Sequence, residues 1–158
     1  MLKQRKNIKN LEEMEEFADF YVKNLESDKN EAVVVALYGN LGSGKTAFVQ
    51  CVAKIFEIKE YITSPTFVIQ KRYKICLPAR RVKNVIGGFE NLIHIDAYRL
   101  GTGEELLALG WREIIANPRN LIFVEWAEKV AEILPVCARK LHFKFIDDKA
   151  REIVWEQK

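Results

Sequence analysis

The chain has 158 residues, of which 49% are apolar and 30% charged, and its formal net charge is +3. That length fits one domain over residues 1–158, large enough to bury about two-thirds of its unfolded surface without disulfide or metal staples. The charge is too small to assign nucleic-acid binding, although it would not repel RNA. Three cysteines (Cys51, Cys76, Cys137) with no C-x-x-C pair predict free thiols in a reducing compartment, and two distant histidines, His94 and His142, argue against a zinc motif. The N-terminus is basic but no apolar signal region follows, and no run approaches the roughly 18 apolar residues of a membrane span, so a soluble, cytoplasmic protein with no membrane partner is expected.

Along the chain, Asn10 followed three residues later by Glu13 marks a helix start, and Leu11, Met14, Phe17, Ala18, Tyr21, Val22 and Leu25 form one apolar stripe. Ala32 to Tyr38 is a continuous β-branched run, the pattern of a strand buried on both faces. Helix is expected over Lys45 to Phe56, and strands over Thr66 to Lys74, Leu92 to Asp96 and Leu121 to Trp126. A short helix over Glu104 to Leu109 stops at Gly110. Leu141 to Ile146 and Glu152 to Trp155 flank Asp147-Asp148-Lys149-Ala150 as a terminal hairpin. The alternation predicts an α/β fold: a P-loop NTPase domain with a mostly parallel central sheet, flanking helices and a C-terminal antiparallel hairpin. Pro78 to Gly88, with Arg80, Arg81 and Lys83, reads as a basic excursion between two strands.

Gly39-Asn40-Leu41-Gly42-Ser43-Gly44-Lys45-Thr46 matches G-x-x-x-x-G-K-[ST] in full, after a strand and before a helix. Glycines let the backbone close around an anion, and the helix N-terminus adds its positive dipole end. Lys45 would reach the β- and γ-phosphates, Thr46 would offer its hydroxyl to Mg²⁺, and Asn40, Leu41 and Ser43 would contribute mainly backbone groups. No N-K-x-D or D-x-x-G string is present, which excludes a Ras-like GTPase. The length and the missing signature loop argue against an ABC ATPase, and the length against an AAA-type motor.

Three further clusters bear on the chemistry. Ser64-Pro65-Thr66 is either a switch that reports on the γ-phosphate, with Thr66 near Mg²⁺ or water, or an ordinary turn entering a strand. In His94-Ile95-Asp96-Ala97-Tyr98-Arg99, Asp96 ends a strand where α/β ligands bind; it acts on Mg²⁺ through water or on the attacking water, or else caps a helix or pairs with Arg99. His94 shares its strand face and reads as a structural hydrogen-bonding residue. Leu121-Ile122-Phe123-Val124-Glu125-Trp126 has the form of a Walker B strand, making Glu125 a metal candidate or a solvated strand end, and Trp126 a core residue or a face for a partner.

In this order, the P-loop, S-P-T, His94-Ile95-Asp96-Ala97-Tyr98-Arg99-Leu100, Glu104-Glu105-Leu106, Leu109-Gly110 and Val124-Glu125-Trp126 make the chain resemble the TsaE family, also called YjeE, from about residue 10 to 155. The resemblance implies an ATPase needed to form threonylcarbamoyladenosine at position 37 of tRNAs reading codons that start with A, working with TsaB and TsaD, where TsaD catalyses the transfer. It implies that Thr46 and Glu125 hold Mg²⁺, that Asp96 and Thr66 support hydrolysis with Lys45, and that residues 39 to 46, with Ala47, wrap the triphosphate. It also implies nucleotide contacts from an N-terminal segment, here Leu11 or Glu12, and from a basic residue of the hairpin, here Arg151. One departure is the longer, more basic stretch from Ile75 to Asn91, a solvated loop or an added RNA or partner contact. No arginine finger is identifiable, so slow hydrolysis alone and faster hydrolysis on the partner complex are expected. A small-molecule P-loop kinase and a nucleotide-gated binding module without useful hydrolysis are the alternatives.

Overall fold

A computed structural model describes residues 2–26, 28–76 and 88–157. Most of the basic stretch from Pro78 to Gly88 therefore lies outside the described residues. Seven strands form one sheet in the order β1-β7-β6-β2-β5-β4-β3. They are β1 (Leu2–Ile8), β2 (Val33–Tyr38), β3 (Gln70–Lys74), β4 (Asn91–Asp96), β5 (Asn120–Glu125), β6 (Arg139–Phe145) and β7 (Arg151–Gln157). The helices are α1 (Leu11–Lys23), α2 (Lys45–Ile55), α3 (Gly103–Ala108) and α4 (Trp111–Ile115), with a 3₁₀ helix over Ala127–Ile133.

The centre of the sheet, β6-β2-β5-β4, is parallel, and β6 and β7 form the expected antiparallel hairpin. Antiparallel β1 and β3 extend the two edges. β2 is apolar throughout because it is covered twice. Val33, Val35 and Leu37 face α1 and α2, while Val34 and Ala36 face α3, α4 and the 3₁₀ helix. On the first side the rings interlock: Phe17 lies 5.7 Å from Phe48 and 5.0 Å from Trp155, and Phe48 lies 5.7 Å from Phe143 and 6.0 Å from Phe123. Leu106, Trp111, Ile114 and Val130 close the second side.

α1 starts where its cap predicts. Asn10 Oδ1 accepts from Glu13 N at 2.8 Å, satisfying a first-turn donor, and Glu13 Oε2 reaches back to accept from Lys9 N at 2.8 Å, just ahead of the cap. One expectation needs correction here. The strand expected from Thr66 begins only at Gln70, because the amides of Val68 and Ile69 both donate to Pro65 O, and Ile69 takes φ 67°. Those donors are spent in a turn and are lost to the ladder. The basic N-terminus is itself an edge strand, β1, with Ile8 in the core and Lys6 paired to Glu16 of α1 at 3.8 Å. All three cysteines are free, and burial pushes the Cys51 thiol up to about 11. Among the described residues no helix is long and apolar enough to cross a membrane.

Candidate nucleotide and metal site

Three parallel strands end together. Register pairs Leu37 of β2 with Glu125 of β5, and Asp96 of β4 with the same Glu125. The loop leaving β2 and the carboxylates ending β4 and β5 therefore meet at one edge, where α/β folds place ligands. A cavity of about 850 Å³ opens there. It is lined by Leu41 to Ala47, Thr66, Asp96 and Glu125, and by segments from both ends of the chain.

The loop needs its glycines for space as well as for angle. Gly39 has φ 137°, and a Cβ on it would stand 2.3 Å from the backbone oxygen of Phe143 and 2.8 Å from Ser43 Oγ. Gly44, with φ 104°, is the N-cap of α2 and offers no side-chain cap. The first amides of α2 thus lack a side-chain partner and suit an anion.

Lys45 is buried, and its ammonium donates to Gly39 O at 2.5 Å and Asn40 O at 3.0 Å while lying 4.3 Å from the centre of the Trp126 ring. Desolvation lowers its pKa from the ordinary 10.5, and Glu125, Glu128 and Asp96 oppose that shift. Thr46 Oγ1 donates to Glu125 Oε1 at 2.8 Å, and His94 Nε2 reaches the same oxygen at 2.7 Å. Asp96 Oδ2 accepts from Ser64 Oγ at 2.6 Å and Thr66 Oγ1 at 2.7 Å, and Oδ1 accepts from Tyr98 N at 2.9 Å. Asp96 is thus tied to the turn preceding β3. Arg99, its alternative partner, instead sits 4.3 Å over the exposed Phe67 ring.

Trp126 does not continue β5. It takes φ 57°, which turns the chain out of the sheet directly after Glu125 and brings its ring 5.0 Å from Tyr98. A left-handed non-glycine residue carries strain, which here sits beside the cleft.

The sequence candidates divide by place. Leu41, Gly42, Ser43, Gly44, Lys45, Thr46, Ala47, Leu11, Thr66, Asp96, Glu125 and Arg151 line the cavity. Gly39 and Asn40 lie behind it, their carbonyls holding Lys45. Glu12, in the first turn of α1, is exposed and stands outside the lining. Arg151 Nε donates to Gly42 O at 2.9 Å, which latches β7 onto the loop. Ser64, Tyr98, Met14, Lys9 and Lys149 also line the cavity. Ser64 stood in the S-P-T motif, so its carboxylate contact had a signal in sequence. Lys9, Met14 and Lys149 had none, because only the folding of β1, α1 and the hairpin around the loop brings them there.

The donor set suits Mg²⁺. Thr46 and Glu125 present hard oxygens at one point, and among the described residues no group of three or more His, Cys, Asp or Glu could cage a metal. Mg²⁺ takes one or two protein oxygens and completes its shell with phosphate and water, so a sparse set beside a phosphate loop fits it.

Comparison with known proteins follows the same lines. The family model described as "Threonylcarbamoyl adenosine biosynthesis protein TsaE" matches residues 8–153. A "tRNA threonylcarbamoyladenosine biosynthesis protein TsaE" of Treponema pallidum (strain Nichols) is 34% identical over 123 residues, 78% of this chain and 81% of the relative. A protein of the same name from Rickettsia bellii (strain RML369-C) is 30% identical over 152 residues, 96% of this chain and 93% of the relative. The crystal structure of Bacillus subtilis YdiB superposes with a TM-score of 0.67 at 27% identity, covering 98% of this chain and 84% of that one. A family match spanning nearly every element that builds the cleft places the chain in the TsaE family.

Proposed function

We propose that the chain binds ATP with Mg²⁺ and hydrolyses it in support of a TsaB–TsaD complex that forms threonylcarbamoyladenosine at position 37 of tRNAs reading codons that start with A. The observation that carries the ATPase reading is the meeting of Lys45, Thr46 and Glu125 with Asp96 at one strand edge. The biosynthetic role rests on the names of the relatives.

Residues 39 to 47 cradle the phosphates. Lys45 moves its ammonium from the carbonyls of Gly39 and Asn40 to the β- and γ-phosphate oxygens. Thr46 and Glu125 hold Mg²⁺, which when bound offsets phosphate charge. Asp96 orients water through Oδ1, and Ser64 and Thr66 keep its other oxygen fixed. Preorganised acceptors of this kind act without reorganising during the reaction. Leu11, Met14 and Ile8 offer apolar surface for the base, and Arg151, in the cavity lining, holds the loop at Gly42. The setting proposed for the protein is the cytoplasm.

No arginine is placed to contact the γ-phosphate among the cavity residues apart from Arg151, which is already committed to Gly42 O. Turnover by the chain alone is therefore expected to be slow, with stimulation by the partner complex of about 10³–10⁵-fold if the complex supplies the missing charge. The test is ATP turnover by the purified protein, alone and with TsaB, TsaD and tRNA. Stimulation that is lost in Glu125→Ala supports the reading. Brisk turnover alone that no component stimulates refutes the partner role, and consumption of ATP only with a small-molecule acceptor would favour the kinase alternative.

A further inference from the structure

His94 is fully buried, with no solvent exposure, in β4, two residues before Asp96 and on the same strand face. Its Nε2 lies 2.7 Å from Glu125 Oε1, on the neighbouring parallel strand. Its Nδ1 is buried and has no partner. A leucine in this place would fill the space without leaving an orphaned nitrogen, whereas the imidazole adds one N–H aimed at the carboxylate. A buried polar atom left unsatisfied asks for an explanation, and the far side of the ring supplies it.

Glu125 Oε1 takes two donors, Thr46 Oγ1 and His94 Nε2. The two are not equivalent. Thr46 belongs to the phosphate loop and, under the proposed function, lends an oxygen lone pair to the metal, so its placement is tied to the bound ligand. The His94 N–H is not. It comes from the sheet rather than from the loop, so it keeps its position whether or not the cleft is filled.

We infer that His94 is a positioning residue that fixes the Glu125 carboxylate for Mg²⁺ by holding Oε1 from the sheet side, beside the Thr46 hydroxyl. The inference rests on the metal role proposed for Glu125, and it predicts an effect on metal affinity without an effect on nucleotide affinity in the metal's absence. Donors behind a metal ligand commonly change metal affinity by about 10–100-fold when removed.

Two variants separate the ring's two ends. In His94→Gln the amide N–H reaches the place of Nε2, and in His94→Asn it reaches only the place of Nδ1, which has no partner. The readout is binding of a fluorescent ADP analogue to the full chain, titrated with Mg²⁺ and repeated in a chelator, with thermal unfolding recorded for each protein. Expected are near-normal behaviour for His94→Gln, and for His94→Asn a rise of about tenfold in the Mg²⁺ concentration giving half-maximal effect, with unchanged binding in chelator. An unchanged Mg²⁺ midpoint in His94→Asn overturns the inference, even if the protein melts earlier. So does a loss of binding that is equal with and without the metal. If wild-type binding itself ignores Mg²⁺, the metal reading of Glu125 fails and this inference fails with it.

Discussion

Lys45 and Asp96 sit in the same cleft, and their substitutions are expected to part company. Replacing Lys45 with alanine removes the ammonium held beneath the loop carbonyls, so nucleotide binding itself is lost. Replacing Asp96 with alanine leaves the loop intact and releases Ser64 and Thr66. Binding of ADP or ATP should change little, while partner-stimulated turnover falls by about 10²–10⁴-fold, the range of a lost general base. Equilibrium binding beside turnover distinguishes the two. If Asp96→Ala turns over normally, the carboxylate serves only to anchor the turn. At this scale the sequence motifs singled out Lys45, Thr46, Asp96 and Glu125, and the fold gathers all four in one cavity lining. Between Leu11 and Glu12 the resemblance left the choice open; Leu11 lines the cavity, and Glu12, in the first turn of α1, is exposed outside the lining. One residue of helix rotates a side chain by about 100°, and no motif fixes that rotation.

Among the elements, α1 and the C-terminal hairpin make separable predictions. Asn10→Ala deletes the cap on Glu13 N and should cost about 1 kcal/mol, read as a fall of about 2–4 °C in Tm for a chain of this size. In the hairpin, the His142 ring stacks on Tyr38 at 4.7 Å, tying β6 to β2. Desolvation, then Lys140 and Lys3, lowers its pKa from the ordinary 6.5. The unfolded chain therefore binds the proton more readily than the folded one. The stabilising contribution is complete above pH 6.5 and declines as pH falls from there through the depressed folded value. His142→Phe keeps a stacking ring and removes the titration, so its stability should vary less with pH over that interval; urea midpoints across the interval would show it, and parallel wild-type and variant curves would refute it. The parallel centre was legible in sequence because strands buried on both faces are apolar throughout. β1 was not, since a run of Lys3, Gln4, Arg5, Lys6 and Asn7 carries the same letters as a solvated tail. The turn at Val68 and Ile69 was hidden by β-branched residues whose strand preference is overridden by two amides bonding to Pro65 O.

For the whole molecule, the cleft draws on both ends of the chain. Ile8 to Leu11 line it from one side, and Asp148, Lys149 and Arg151 from the other, and the two meet because β1 pairs with β7. Removing residues 2–7 should leave the parallel centre folded, expose the edge of β7, weaken nucleotide binding and promote self-association through the bare edge. Size-exclusion chromatography with and without ADP would report it, and a monomer that binds ADP normally would show that β1 is dispensable to the site.

The same pairing has a bearing on how fast the protein is made ready. Leu2 is opposite Gln157 in the register, so the sheet joins residues far apart in sequence, and that contact cannot form before Gln157 has been synthesised. Closing so long a loop late in folding slows acquisition of the native state. A cleft that is completed only by that closure gives the nucleotide little hold on the steps before it. ATP should therefore lengthen the lifetime of the finished protein and leave its refolding rate unchanged.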